Sequence, residues 1–290
     1  MNYKQNGNKT KKNSGKRLIL GVTALMAAGI MAVGTTALAS SEKENFSIFF
    51  NGNTEISEGS STLIHQSNVM AGIKVTIEES IVGGNSAIII ASFENEDGTA
   101  FPQDAALAKP ELVWKNDASY MVEQRMTADG KKIIVMFDID TPSSLHGKKV
   151  TIKADAVVNS NTDTVIVKGP LKHKFTAQEN STSYNIAIDQ TLSQQQEMLS
   201  IHNMTISPIG IGIQGDWLAG EGDQLPKYNP KVSIMTSDGK TTDLYVGSTS
   251  TIDQGFQWKY NLDQDGNKIF LDTATIISVS IDGTIVQATK

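Results

Sequence analysis

The sequence predicts an all-β protein, two consecutive β-sandwich domains behind an N-terminal hydrophobic segment. Three observations predict it. Asp-Gly pairs recur between β-type runs at Asp97-Gly98, Asp129-Gly130, Asp238-Gly239, Asp265-Gly266 and Asp282-Gly283, and Asp-Gly supplies the positive φ angles of tight hairpin turns. Between them apolar residues alternate with period two, as in Ile73, Val75, Ile77; Ile133, Val135, Phe137; Val150, Ile152, Ala154; Phe256, Trp258, Tyr260, Leu262; and Ile277, Val279, Ile281. Such rows are strands with one buried face. A polar stretch from Gln178 to Ser183 then breaks the pattern and marks a domain linker.

The N-terminal segment comes first in the chain. Lys4, Lys9, Lys11, Lys12, Lys16 and Arg17 precede an uncharged run from Leu18 to Gly34, and Ala37-Leu38-Ala39 follows before Ser40. Basic, apolar and small-residue regions in that order make a signal peptide cleaved after Ala39. The run is also close to the length that spans a bilayer, so an uncleaved membrane anchor is the alternative. Either way the basic flank stays inside and the body lies outside, secreted or anchored.

The expected domains are residues 1–39 (signal peptide or anchor), 40–178 (first β-sandwich, with a polar N-terminal stretch) and 179–290 (second β-sandwich). Phe46 to Phe50 is apolar enough to open the first domain as a strand. Ser193 to Leu199 is the one plausible helical stretch, with Ser193 as cap and Gln196 three residues on, although it reads equally well as loop. The halves share an order of landmarks. Each has an Ile-led strand (Ile73, Ile201), a proline opening another strand (Pro110, Pro230) and an Asp-Gly hairpin, Asp129 being matched with Asp265. A duplicated sandwich and two unrelated β-domains both accommodate this order.

Composition excludes several functions. Hydrophobic residues make up 39% of the chain and charged residues 19%, which is globular composition. The 25 Lys and Arg face 31 Asp and Glu, and with six of the basic residues in the first seventeen positions the body retains 19 against 31. So acidic an exported body is a poor match for nucleic acid. Cysteine is absent, which removes disulfides, thiolate zinc sites, cysteine nucleophiles and a lipoprotein anchor together.

Ala71-Gly-Ile-Lys-Val-Thr-Ile-Glu-Glu, the Gly83-Gly84-Asn85 turn, the strand Ala87 to Ser92 and Leu145-His-Gly-Lys-Lys-Val-Thr-Ile resemble domain of unknown function 4179. Leu199-Ser-Ile-His-Asn-Met-Thr-Ile-Ser-Pro-Ile-Gly-Ile resembles its frequent companion, domain of unknown function 5643. The resemblances cover nearly the whole mature chain. They imply immunoglobulin-like sandwiches, a Gram-positive source, an extracytoplasmic location and a kinship with membrane proteins that act on sigma factors. This chain departs from those relatives, because only about seventeen residues precede Leu18, polar and Gly/Asn-rich, a poor composition for an isolated helix in a length range where even good sequences are marginal below about 12–15 residues.

No motif gives a catalytic, cofactor-binding or metal-ligating set. Gly210-Ile-Gly-Ile-Gln-Gly215 has dinucleotide-fingerprint spacing, but Pro208 precedes it and the following residues cannot open a helix, so a strand with glycine kinks is expected. Asp263, Asp265, Asn267 and Asp272 have calcium-loop flavour, yet Lys268 and Ala274 occupy the places that need glycine and glutamate, which leaves a hairpin turn. His65, His146, His173 and His202 are too scattered for zinc. Asp138 and Asp140, ahead of Thr141-Pro142, read as a turn at a strand end rather than an acid/base pair. Trp114 and Trp258 belong to rows expected to be buried, and Trp217, in a Gly-rich loop, is the tryptophan expected to be exposed and the candidate ligand-binding residue.

The expected function is therefore a non-catalytic extracytoplasmic binding or sensing module of the cell envelope. The alternative is a secreted carbohydrate- or wall-binding module resting on Trp217. No cofactor is expected. The partner would be an envelope protein or wall polymer, with no nucleic acid, and with membrane contact only through the N-terminal segment if uncleaved.

Overall fold

The computed structural model describes residues 48–50, 60–114, 119–141, 144–178, 182–194, 197–219, 225–252, 255–264 and 267–288, which belong to one compact unit spanning 38–290. The Leu18–Gly34 run, the Ala39 junction, Asp265-Gly266 and residues 179–181 of the expected linker lie outside the described residues. Residues 48–50 form a helical turn rather than the expected opening strand. Every other regular element among the described residues is a strand, paired antiparallel.

In the first half, β1 (Thr62–Met70), β2 (Ile73–Gly83), β3 (Ser86–Asn95), β6 (Ser119–Met126) and β7 (Lys132–Asp140) make a sheet in the order β1-β2-β3-β7-β6. β4 (Ala105–Ala108), β5 (Glu111–Val113), β8 (Lys149–Asn159) and β9 (Val165–Thr176) make a second sheet around β8. Ile73, Val75, Ile77, Phe93, Val135 and Phe137 of the first sheet pack on Leu107, Leu112, Val150, Ile152, Leu171 and Phe175 of the second. Two sheets with alternating inner faces over one core are a β-sandwich.

The second half is one sheet folded onto itself. Its strands are β10 (Tyr184–Gln194), β11 (Glu197–Ser207), β12 (Gly210–Ala219), β13 (Val232–Thr236), β14 (Thr241–Ile252), β15 (Gly255–Gln264), β16 (Asn267–Ile269), β17 (Ile276–Ile281) and β18 (Thr284–Gln287). The order is β10-β11-β12-β15-β14-β13-β17-β18, with β16 beside β15. β14 joins the two layers. Its first residues, to Leu244, pair with β13 and the rest, from Tyr245, pair with β15, with a bulge between Val246 and Ser248. Bulges let a strand pass from one layer to the other in this way. Leu199, Ile201, Ile213, Phe256, Trp258, Val279 and Ile281 fill the core between the layers.

The turn chemistry follows the Asp-Gly reading at most positions. Asp129-Gly130 joins β6 to β7, Asp238-Gly239 joins β13 to β14, and Asp282-Gly283, with both φ angles positive at 49° and 86°, joins β17 to β18. Asp97-Gly98 instead ends β3 and sends the chain to the other sheet, since β4 pairs with β8 and not β3. The expected helix at Ser193–Leu199 is the β10–β11 hairpin, where Leu192 pairs with Leu199 and both are buried. Period-two burial of the flanking apolar residues overrides a marginal capping signal.

One turn chemistry recurs in both halves. Thr127-Ala-Asp129-Gly130-Lys131 and Thr236-Ser-Asp238-Gly239-Lys240 share one hydrogen-bond pattern. The threonine hydroxyl donates to the aspartate at 2.7 and 2.6 Å, the lysine N–H to the same oxygen at 3.0 and 3.1 Å, and the glycine N–H to the threonine carbonyl at 2.9 and 2.8 Å. Asp129 and Asp238 thus hold the same place in the same turn, and Asp265, the expected match, lies outside the described residues.

A third apolar cluster lies where the halves meet. Ile81, Ile88, Ile90, Ile134 and Met136 on the outer face of the first sheet contact Phe49 and Phe50 of the helical turn and Ile209 and Phe270 of the second half. Phe50 and Phe270 pack with their rings tilted at 46° and centroids 4.6 Å apart. Beside this cluster the backbones come close. A Cβ on Gly83 would stand 2.4 Å from Cβ of Ser207, and one on Gly84 would stand 2.7 Å from a Thr205 methyl carbon.

Candidate functional site

Two clusters of titratable side chains stand out, one buried at the seam between the halves and one in an open groove. The seam cluster is built on strand parity. Phe137 and Ile139 of β7 face the first core, so Asp138 and Asp140 face the other way, in phase with Ile134 and Met136. Trp258 and Tyr260 of β15 face the second core, so Lys259 points out of it towards them. Its Nζ lies 2.6 Å from Oδ1 of Asp138 and 3.4 Å from Oδ1 of Asp140, and all three side chains are nearly or wholly shielded from solvent.

Asp138 and Asp140 are therefore buried strand residues, not the turn the sequence suggested. The reason is the apolar face they share. Once Ile134 and Met136 are buried by the second half, the next two residues of that face are buried with them. The Asp140 carboxylate also accepts from the Ser86 hydroxyl at 2.9 Å and the Ser248 hydroxyl at 2.6 Å. Burial acts to push the Lys259 amine down, but the two carboxylates overcome it and hold its pKa above the usual lysine value. A narrow polar cavity, lined by Ser86, Thr205, Gln214, Gln257 and Lys259, adjoins the cluster.

The groove is larger, about 990 Å³, on the outer side of β1, β2 and β3. Facing irregularities in two strands shape it. β1 shifts register between Leu63 and Gln66, where His65 has a φ of 42°, and β2 shifts between Ile77 and Glu79. Bulges re-aim side chains, and here they bring His65 Nδ1 to 3.2 Å from Oε2 of Glu78, a buried carboxylate. Ser92 donates its hydroxyl to Glu78, and Lys132 Nζ stands 3.8 Å from Glu78 and 4.0 Å from Glu94. Lys74 closes the row with Glu94 at 2.7 Å. The groove thus presents paired charges of both signs, with Ile48, Leu63 and Met126 as apolar lining.

No family model matches the chain, and no curated protein is significantly similar to it. A solved structure has a similar fold. This is the crystal structure of a conserved domain protein from Bacillus anthracis, with a TM-score of 0.56 at 14% identity over 80% of this chain and 82% of that one. At that identity the likeness concerns architecture alone.

The other candidates fall as follows. Trp217 is on strand β12 rather than in a loop, half-buried, with its ring edge-on to Phe256 at 5.1 Å. It sits opposite Leu199 in the β11–β12 pairing, which draws it towards the core. Trp258 is fully buried and Trp114 packs against the first core. Gly210–Gly215 lies in strand β12, which runs on to Ala219. A Cβ on Gly215 would stand 2.3 Å from the Ser200 carbonyl oxygen, so glycine there serves strand packing. Asp263 and Asn267 belong to the β15–β16 hairpin, and Asp272 accepts from the Ala274 N–H in a turn of its own. The four histidines stay apart. His202 Nδ1 is 3.6 Å from Asp216, and His173 is partly buried, its pKa lowered by burial and its Nε2 without a hydrogen bond. Among the described residues no three His, Cys, Asp or Glu side chains group as metal ligands.

Sequence reasoning missed both clusters. For the seam the signal was present. Ala87-Ile-Ile-Ile-Ala91 and Ile133-Ile-Val-Met-Phe137 are apolar on both faces, the pattern of strands covered on both sides. Acids continuing such a strand need a buried partner. For the groove the determining feature is a pair of bulges, which leave no mark in composition.

Proposed function

We propose that this protein is a non-catalytic binding module on the outer side of a Gram-positive cell envelope, with the groove over β1, β2 and β3 as its ligand site. One observation carries the choice of binding over catalysis. Five ionisable side chains of the groove are paired with one another, His65 and Lys132 with Glu78, and Lys74 and Lys132 with Glu94. Such a row recognises a polar ligand by exchange of hydrogen bonds and charge, whereas catalysis calls for groups converging on an open position. The outer location is supported by the basic, apolar and small-residue order of the first 39 residues. Tandem immunoglobulin-like sandwiches and kinship with domains of unknown function 4179 and 5643 belong to the same reading. The kinship rests on the quoted segments alone, and the sandwiches on the two facing sheets of the first half and the folded sheet of the second.

The test has two arms. A reporter active only outside the cytoplasm, fused after Lys290, should be active with the native N-terminus and inactive when residues 1–39 are deleted. Purified protein should bind isolated envelope fractions, and Lys74→Met with Glu94→Gln should reduce binding at least tenfold while Trp217→Ala leaves it unchanged. The reverse ranking would favour wall-polymer recognition through Trp217, and no binding by any form would refute the groove.

A further inference from the structure

The seam cluster has the arrangement of a self-condensing site. The geometry points to an intramolecular amide between Lys259 Nζ and the side-chain carbonyl carbon of Asp138, formed after folding with Asp140 as the proton carrier. The bond would join β7 of the first half to β15 of the second.

Three observations support it. Nζ is already in contact with the Asp138 carboxylate at 2.6 Å, on strands held by separate cores, so the two reactants cannot diffuse apart. Preorganisation of this kind is worth an effective concentration of about 10⁵–10⁸ M in well-oriented intramolecular reactions. The second carboxylate, Asp140, lies 3.4 Å from the same nitrogen, and it is fixed by Ser86 and Ser248. The site is shielded from bulk water, where an ammonium and a carboxylate bear a large desolvation penalty that conversion to a neutral amide removes.

The step balances without any outside reagent. Asp140 takes a proton from the Lys259 ammonium and passes it to the Asp138 carboxylate, and the freed amine lone pair attacks Cγ of the resulting neutral acid. The C–N bond forms, the tetrahedral intermediate loses a second nitrogen proton to Asp140, and Asp140 delivers that proton to the departing hydroxyl, which leaves as water. One ammonium and one carboxylate become one amide and one water, with no change of oxidation state and Asp140 regenerated. Each molecule reacts once, so the step makes a crosslink and not an enzyme.

Mass spectrometry of the purified chain tests it. The folded protein should be lighter than its sequence by one water. Trypsin should yield residues 133–148 joined to residues 241–268, with cleavage after Lys259 blocked. Lys259→Arg, which keeps the charge, should have its full mass and no joined peptide. Asp140→Asn should slow condensation about 10²-fold or more, the usual scale of a lost acid/base group. Folded wild-type protein of full mass overturns the proposal, and that reading needs no variant to fold. A missing water without the joined peptide also overturns it, because an Asp-Gly turn can lose water as a succinimide. A peptide joined through Asp140 would reverse the two aspartates and overturn the roles assigned here.

Discussion

The cluster shared by the two halves makes a quantitative prediction through Phe270. Phe270 is 8% exposed, packs its ring tilted against Phe50 with centroids 4.6 Å apart, and touches the apolar face that β2, β3 and β7 present to the second half. Phe270→Ala removes that ring and leaves a cavity bounded by strands from both halves, which cannot collapse without shifting one half against the other. Buried Phe→Ala changes cost about 3–5 kcal/mol, and the upper part of the range suits a site held by two rigid walls. For a body of this size each kcal/mol lowers the melting temperature by about 2–4 °C, so the expected fall is about 6–20 °C. Differential scanning calorimetry measures it, with Ile285→Ala as control, because that side chain is 60% exposed and should change stability by no more than about 0.5 kcal/mol. The wild type should melt in one transition and Phe270→Ala in two, as the halves lose their coupling. A loss below about 1 kcal/mol with a single unsplit transition would show that the cluster does not join the halves.

Three further outcomes are expected. Gly215→Ala should destabilise by about 1–3 kcal/mol or more in urea titration, because its Cβ would meet the Ser200 carbonyl at 2.3 Å and the Phe256 ring at 2.6 Å; an unchanged midpoint would contradict the close approach of β11 and β12. In the matched turns, hydrogen bonds from Thr127 and Thr236 hold Asp129 and Asp238 below the ordinary carboxylate value of 3.8. A depressed folded pKa contributes stability above the unfolded value, lost as pH falls through the folded one, so Asp129→Asn with Asp238→Asn should lower stability at pH 6 and converge with wild type towards pH 2; an equal loss at both pH values would refute the carboxylate's role. Limited proteolysis should cut within Gln178 to Ser183, and the amide at the seam should keep the two pieces together on a denaturing gel in wild type but not in Lys259→Arg.

The sequence carried the strands well and their partners poorly. The row Phe256, Trp258, Tyr260 is buried as its spacing requires, and the Asp129, Asp238 and Asp282 turns are hairpins because positive φ is a local demand that Asp-Gly meets locally. What failed was non-local. Ser193 looked like a helix cap because capping is read over four residues, while the pairing of Leu192 with Leu199 is settled by a sheet the local sequence does not contain. Trp217 looked exposed because glycines follow it, and Leu199 across the ladder decides otherwise. His65 and Glu78 meet only because two strands each shift register, an event with no composition signal.

The seam shows how far strand parity could have gone. Along β7 the even positions Ile134, Met136, Asp138 and Asp140 form one row, and the odd positions already fill the first core with Ile133, Val135, Phe137 and Ile139. A strand apolar on both faces must be covered on both, so the even row needs a second layer. That layer has to cover the two acids as well, and buried carboxylates need a cation or several donors. In the second half, the residue that answers is a lysine flanked by Trp258 and Tyr260, out of phase with a fully apolar row. Such a lysine on a central strand has nowhere to reach solvent if its face is covered. A strand with acids where its second apolar face continues, and another with one lysine on the back of its aromatic row, are thus complementary in register and charge. Their meeting at 2.6 Å is the point from which the joint between the halves, and the chemistry proposed for it, both follow.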